Sequence, residues 1–282
     1  MKKIILTLLI LITVAVAMAA CTPVINDTPG TSSGASITDE KDPDEVFADT
    51  DKEFYSLVTR EMPYTVKSQD ENTIYIANKI TVPSFVANDR INSPIAKKMN
   101  EVLSKAYERN DLVSDGMLDA LNKAEQSLLE SGGDISSMQL PWTLETSYSI
   151  ARNDGKALSV IENVYYYAGG IHPQSNIYTY NFDPKTGEQI KQVFFPEGDS
   201  KARDAIDKVV YNKLVEKYGS DEISYDYVTS SIVEQAVDSW YFTENGIVVY
   251  FNAYDIAPFA AGTFEIELSK DELGEQAQRY FK

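Results

Sequence analysis

The hydrophobic pattern of the chain changes its period in blocks, and this constrains the fold more than any other feature. Apolar residues recur at helical spacing over residues 93–130, alternate with polar residues over 142–182, return to helical spacing over 200–218, and alternate again over 240–268. A doubly wound parallel sheet would instead require strand and helix to alternate strictly. The blocks predict an α+β fold, with largely antiparallel sheets, packed helices and two intimately associated subdomains.

Local signals place the expected elements along the chain. Ser93 and Pro94 form a helix start, since Ser caps and Pro suits the first helical position. Glycine-containing turns are expected at 153–155, 183–187 and 244–246. The expected strands lie at about 73–82, 142–151, 157–168, 176–182, 240–243, 247–252 and 263–268. The expected helices are one with its apolar face between Ile95 and Ala106, a second at about 115–130, a third at about 200–218 and a short one at about 229–237.

The first 21 residues resemble the signal of a bacterial lipoprotein. Lys2 and Lys3 precede an uncharged apolar run, and small residues lead into Cys21, the one cysteine of the chain. In such signals the cysteine receives a diacylglyceryl group and becomes the new N-terminus, so we expect a lipid anchor at Cys21 facing outside the cytoplasm. The apolar run is shorter than the roughly 20 residues that span a bilayer. An uncleaved anchor and ordinary secretion stay as alternatives.

Composition divides the rest of the chain into a tether and an ordered region. Residues 21–52 are rich in Thr, Ser, Gly, Pro and Asp without apolar periodicity, as in a flexible tether. We expect an N-terminal subdomain over 53–190 and a C-terminal subdomain over 191–282.

The charge balance excludes some classes of partner. The formal net charge is −18, and cleavage after residue 20 would remove Lys2 and Lys3 and bring it to −20. Such a surface repels nucleic acid phosphates and favours cationic partners. With a single histidine, a multi-histidine metal site is impossible. We expect no metal, no cofactor and no nucleic acid partner.

The sequence leaves several roles possible for His172. It could act as a general base oriented by Asp183, but no Gly-x-Ser-x-Gly nucleophile motif accompanies it. A structural or recognition role is therefore favoured, and we expect no catalytic residues. Tyr166 points away from Tyr165 and Tyr167 on an expected strand, and one of the two faces is expected to be core. The candidate binding residues are Tyr166, His172 and Tyr254; the residues assigned to turns and bends are Gly170, Pro173, Asp183, Gly187, Pro258 and Gly262.

Two motifs carry a resemblance to a known family. Residues 165–190 and 240–268 are similar to the paired extracytoplasmic domains of the lysozyme-sensing anti-sigma factor RsiV and, in part, of the peptidoglycan deacetylase PdaC, ahead of its catalytic domain. The resemblance extends over about residues 54–273. The matching positions are Gly170, Ile171, His172, Pro173, Tyr180, Asn181, Phe182, Asp183, Thr186 and Gly187 in the first motif, and Gly246, Tyr254, Ala257, Pro258, Phe259 and Gly262 in the second.

The resemblance implies a sensing or binding module on a lipid anchor, without the deacetylase domain. Its expected partner is lysozyme or another cationic protein, or the glycan of peptidoglycan. Two alternatives are a cell-wall carbohydrate hydrolase or deacetylase accessory, and a structural envelope lipoprotein.

Overall fold

The computed structural model describes residues 55–68, 71–87, 93–220, 223, 226, 228 and 239–282. These residues form a five-stranded sheet, a three-stranded antiparallel sheet and three α-helices, which confirms the α+β prediction. The predicted signal sequence, Cys21, the tether and the short helix at 229–237 lie outside the described residues. Within the described part, no helix is both long enough and apolar enough to cross a membrane.

The large sheet has the strand order β1-β2-β3-β4-β5. All neighbouring strands are antiparallel except β2 and β3, which run parallel and are joined across α1. The alternation of apolar and polar residues did not predict β1, because most side chains on both faces of this strand are exposed. The bounds are β1 Tyr55–Lys67, β2 Ile74–Ala87, α1 Ser93–Glu130, β3 Thr143–Asn153, β4 Leu158–Tyr167 and β5 Gln174–Phe182.

Side chains complete the parallel joint between β2 and β3. The ladder there is short, with Lys79 opposite Glu145 and an isolated bridge beside it. The Asn78 side-chain carbonyl accepts the Leu144 N–H at 2.9 Å, and the Thr81 N–H donates to the hydroxyl of Thr146 at 2.7 Å. These bonds satisfy backbone groups that the short ladder leaves without a strand partner.

Helix α1 is a single helix of 38 residues, so the prediction of two separate helices was wrong. The apolar face of α1 is interrupted at Arg109, Asn110 and Ser114, and this interruption made the middle of the helix look like a connection. The structure buries Asn110 and Ser114 against the sheet. The helix continues because its inward polar side chains have polar partners.

The C-terminal part contains a meander backed by a helix. Strands β6 (Trp240–Phe242), β7 (Gly246–Phe251) and β8 (Phe264–Ser269) pair in sequence. Helix α2 spans Ser200–Tyr218 as predicted, with the Asp199 carboxylate accepting the Ala202 N–H at 3.0 Å. A short α3 follows at Glu275–Gln278. One continuous core combines these elements; its larger members are Val210, Leu214, Trp240, Phe242, Phe251, Phe264, Leu268 and Tyr280.

A polar seam joins the two sheets. The side chains of Thr179 and Asn181 on β5 both donate to the main-chain carbonyl of Trp240, at 2.6 and 2.8 Å. The buried Arg152 guanidinium donates to the carbonyls of Thr243 and Tyr280, at 3.1 and 2.8 Å. These bonds fix both subdomains in one arrangement. The boundary at residue 190 stays a prediction.

Three asparagines imitate a neighbouring strand. In each case both amide atoms bond to the N–H and C=O of one strand residue: Asn100 to Phe85 at 2.7 and 3.0 Å, Asn153 to Tyr55 at 3.1 and 2.6 Å, and Asn252 to Ile177 at 2.8 and 3.2 Å. An amide can do this because it holds both a donor and an acceptor. The asparagines thereby satisfy backbone groups of strands in the large sheet.

Replacing Asn100 with Asp tests this role. The carboxylate still accepts the Phe85 N–H but turns an acceptor towards the Phe85 carbonyl, so we expect a loss of about 1–2 kcal/mol in the free energy of unfolding. Asn163→Asp, on the exposed face of β4, is the matched control and should change stability by less than about 0.5 kcal/mol. Urea unfolding of both variants measures the difference; equal losses would contradict the proposed pairing.

Asp207 on α2 is a buried carboxylate with an incomplete set of partners. Its Oδ1 has no hydrogen-bond partner among the described residues, and its Oδ2 lies 3.6 Å from Nε of Arg203. Burial raises the pKa of Asp207 to about 6, although Arg203 opposes the rise. Burial therefore favours the protonated form of Asp207 in the folded state, and the fold loses stability as the pH rises from about 4 through 6.

Asp207→Asn should stabilise the protein at pH 7–8 by about 1–2 kcal/mol. Because the folded pKa lies above the unfolded value, this gain should shrink as the pH falls through 6 and vanish below about 4. Asp119→Asn, at an exposed position of α1, is the control and should show no such gain. Thermal unfolding between pH 4 and 8 measures the effect, and a pH-independent gain would rule out ionisation as its cause.

Candidate functional site

The connection between β4 and β5 presents an exposed tip. These residues, 168–173, contain two glycines, Ile171, His172 and Pro173 and are called the glycine loop below. Gly169 has φ of +74°, a conformation that glycine adopts without strain. The Ile171 side chain is 99% exposed, although it is fully apolar. The chain reverses direction between β4 and β5 over these bend residues, and the apolar Ile171 faces solvent.

The β7–β8 loop, residues 252–263, presents the second motif. Tyr254 adopts φ of +77°, which is uncommon for a bulky residue. Pro258 precedes a 3₁₀ turn at Phe259–Ala261, and Gly262 ends this turn at φ of +77°. Pro258 and Gly262 therefore hold the bend that the sequence predicts, and the bend positions the ring of Phe259.

The two loops meet through their aromatic side chains. The His172 imidazole stacks on the ring of Phe259, with centroids 3.6 Å apart and planes 7° apart. The Tyr254 hydroxyl lies 3.3 Å from Nε2 of His172, and its ring is 5.5 Å from that of Phe259. Tyr254 is 58% exposed. His172, Tyr254, Phe259 and Ile171 thus form one surface feature, called the ring cluster below.

Tyr166 points into the protein, away from the ring cluster's exposed rings. It packs against the apolar cluster that contains Trp142 and Leu144, on the face of the sheet covered by α1. The structure thus brings two of the three candidate binding residues, His172 and Tyr254, into contact and places Tyr166 in the apolar packing between the sheet and α1. Phe259 was part of the sequence motif but was not singled out as a binding residue.

Asp183 cannot orient His172 as suggested from sequence. His172 precedes β5 and Asp183 follows it, so the nine residues of β5 separate them by roughly 30 Å. The Asp183 side chain instead accepts the Lys185 N–H at 2.8 Å in the predicted turn. Gly187 ends this turn, and a Cβ at Gly187 would lie 2.7 Å from the carbonyl oxygen of Ile95. Both residues therefore have a structural role.

The ring cluster offers binding chemistry. Its members supply apolar ring faces, one hydroxyl and one imidazole. Among the described residues, no group of three or more His, Cys, Asp or Glu side chains has the arrangement of a metal site. The geometry of the described loops thus fits recognition of a partially apolar, polar-edged ligand.

A buried carboxylate cluster was missed by the sequence analysis. Glu162 on β4 is fully buried, and four side chains donate to its carboxylate: Arg109 at 2.6 Å, Asn110 at 2.6 Å, Tyr148 at 2.7 Å and Tyr180 at 2.6 Å. The Arg109 guanidinium also lies 4.1 Å from the ring centroid of Tyr178. The only signal in the sequence was the polar interruption of the α1 face.

The partners of Glu162 enclose its carboxylate in a closed site. Burial and then the Glu162 charge raise the pKa of Tyr148 and of Tyr180 above the ordinary value, so both remain protonated donors. Burial by itself disfavours the Arg109 cation, but the Glu162 carboxylate outweighs this and raises the pKa of Arg109. Four donors occupy the lone pairs of the carboxylate. The cluster therefore fixes α1 to the sheet and leaves no free acceptor for a substrate.

Glu162→Gln should destabilise the fold by about 2–3 kcal/mol. The amide NH2 group would face one of the four donor groups, and the ion pair with Arg109 would be lost. Glu145→Gln, an exposed residue of β3, is the control and should be near neutral. Urea unfolding gives the stability, and amide hydrogen exchange should show the largest loss of protection at residues 107–114 of α1. A loss below 0.5 kcal/mol would show that the cluster does not hold the helix.

The comparisons with known proteins point to one family. A family described as "Protein of unknown function (DUF3298)" matches residues 192–271, a region that contains α2 and the strands β6, β7 and β8. A crystal structure of a DUF3298 family member from Bacteroides fragilis NCTC 9343 is similar with a TM-score of 0.58 and 16% identity, covering 81% of this chain and 98% of that chain.

A DUF3298 family protein from Pseudomonas aeruginosa PAO1 gives a TM-score of 0.49 at 12% identity, covering 79% of this chain and 96% of that chain. No curated protein matched. The B. fragilis comparison shows a shared fold for most of the chain, and residues 192–271 match the DUF3298 family model. The finer resemblance to RsiV and PdaC stays a prediction.

Proposed function

We propose that the protein is a lipid-anchored, extracytoplasmic binding module without catalytic activity. The observation that carries the proposal is the ring cluster, in which two separate loops expose Ile171 and Tyr254 and stack His172 on Phe259. Monomeric proteins commonly keep contiguous exposed apolar groups at sites of interaction. The signal resembling that of a lipoprotein supports a location at the outer face of the cell membrane.

The chemistry of the ring cluster favours cell-wall glycan as the ligand. Sugar rings present apolar C–H faces and polar edges, and aromatic side chains with a polar tip match both. Tyr254 is the most exposed ring of the cluster and has a hydroxyl beside its contact face. The cluster carries no carboxylate of its own, which suits a ligand without a cationic group.

A cationic protein such as lysozyme is the second candidate. The net charge of −18 favours it, because opposite charges accelerate association. The resemblance to the lysozyme-sensing region of RsiV points the same way. This version of the function predicts a strong salt dependence, which binding of a neutral glycan lacks.

Binding assays with the chain from residue 22 onward separate these candidates. We expect the protein to co-sediment with purified peptidoglycan, and Tyr254→Asn to weaken retention about tenfold, since Asn tolerates a positive φ but lacks the ring. Tyr165→Ala, an exposed tyrosine of β4 outside the ring cluster, is the matched control and should bind like the parent.

Calorimetry with lysozyme at low and high salt tests the second candidate. Tight binding that weakens with salt would make lysozyme the partner. An absence of both peptidoglycan retention and lysozyme binding would contradict the proposed function and favour a structural role in the envelope.

A further inference from the structure

Two buried nitrogen atoms at the glycine loop have no hydrogen-bond partner. In the described part of the chain four buried side-chain atoms are in this state, and two of them are Nε1 of Trp142 and Nδ1 of His172. The other two belong to Arg203 and Asp207, which lie side by side on α2. Native proteins leave few such groups, and each one calls for a specific explanation.

The Trp142 indole lies directly beneath the loop. Trp142 precedes β3 and is 6% exposed. A Cβ built at Gly169 would lie 2.7 Å from Nε1 and 3.2 Å from Cε2 of the indole. The absent side chain of Gly169 therefore lets the loop cover the N–H edge of Trp142. Trp240, the other tryptophan, donates its indole N–H to the Lys191 carbonyl at 3.3 Å.

The unpaired indole N–H of Trp142 defines which chemical group a ligand must carry. An indole N–H only donates, so the ligand must carry an acceptor such as a carbonyl oxygen. The neighbouring ring cluster adds apolar faces for a flat, partly apolar body. A strongly acidic chain disfavours an anionic acceptor such as a phosphate.

An extended peptide also carries carbonyls, but the nearby strand edge does not suit one. Peptide strands bind by adding to a free edge. At Ile177 of β5, the Asn252 amide and the Tyr250 hydroxyl already occupy the backbone N–H and C=O. A carbonyl attached to a sugar ring requires no such ladder.

We propose that the glycine loop and the ring cluster bind the acetamido group of an N-acetylated sugar. The acetamido oxygen accepts the indole N–H of Trp142 once Gly169 and Gly170 move aside. His172 stays stacked on Phe259 and contacts the sugar ring together with Tyr254. The inference rests on the proposed function, because it names the chemical group by which a glycan is recognised.

The two glycines at the start of the loop permit this movement. Gly169 and Gly170 supply backbone freedom at its start. Ile171 makes no buried contact that the movement would break, since its side chain is 99% exposed. The movement uncovers Trp142 without disturbing the core on the other side of the indole.

Nuclear magnetic resonance of the indole N–H groups provides the test on the full chain in detergent. The protein has two tryptophans, so its spectrum contains one signal from Trp142 and one from Trp240. The β-1,4-linked trisaccharide of N-acetylglucosamine should shift the Trp142 signal and leave the Trp240 signal in place. The β-1,4-linked trisaccharide of glucose is the neutral control without acetamido groups and should shift neither.

Two glycine variants complete the test. Gly169→Ala should strengthen binding of the N-acetylglucosamine trisaccharide about tenfold, because its Cβ would clash with the indole nitrogen while the loop covers Trp142 and would therefore favour the uncovered position. Gly170→Ala is the matched control, since the nearest atom to its Cβ would be 3.7 Å away, and it should bind like the parent. The Trp240 signal reports whether each variant is folded.

The outcomes separate this inference from the proposed function. An unshifted Trp142 signal, or equal shifts with both trisaccharides, overturns acetamido recognition. Retention on peptidoglycan in the same preparation would then leave the binding function standing. Loss of both would remove the function as well.

Discussion

The structure depends on the carboxylate of Glu162 and its four donors. Helix α1 crosses the large sheet between two apolar clusters, and its middle turns carry Arg109 and Asn110 towards β4. Without an acceptor on the sheet these groups would be buried unpaired, at a cost of about 1–3 kcal/mol each. One buried carboxyl group therefore makes a 38-residue helix compatible with the fold. It also fixes where β4 lies and hence where the glycine loop begins.

Hydrogen bonds between the two sheets also fix the position of the second sheet relative to the first. Asn252 follows β7 and bonds to Ile177 near the start of β5, so one side chain links the start of the β7–β8 loop to the strand that follows the glycine loop. From that link the chain runs two residues to Tyr254 on one side and five residues back to His172 on the other. The contact between the His172 imidazole and Phe259 is thus set by the hydrogen bonds of the Asn252 side chain to Ile177 as well as by ring packing.

Sequence patterns predicted those parts of the fold that alternate or repeat cleanly. The bounds of α2, the hairpins and the turn at 183–187 agree with the structure because local chemistry determines them. The exposed strand β1 and the continuous α1 escaped prediction, since tertiary pairing overrides local pattern at both. Likewise His172 and Tyr254 were chosen one by one from their motifs. The contact between His172 and Tyr254 and the position of Trp142 under the glycine loop depend on long-range packing, which local sequence spacing does not encode.

A purely structural role for the glycine loop does not explain its exposed isoleucine or its unpaired buried nitrogen atoms. A tight turn requires Gly169 at positive φ, but it requires neither an isoleucine in full contact with water nor two buried nitrogen atoms without partners. Across the contact, Tyr254 holds a positive φ that costs about 1–3 kcal/mol for a non-glycine residue. These separate costs coincide at one place where two loops meet. Strain of this kind concentrates at ligand sites, because binding can recover what folding leaves unsatisfied.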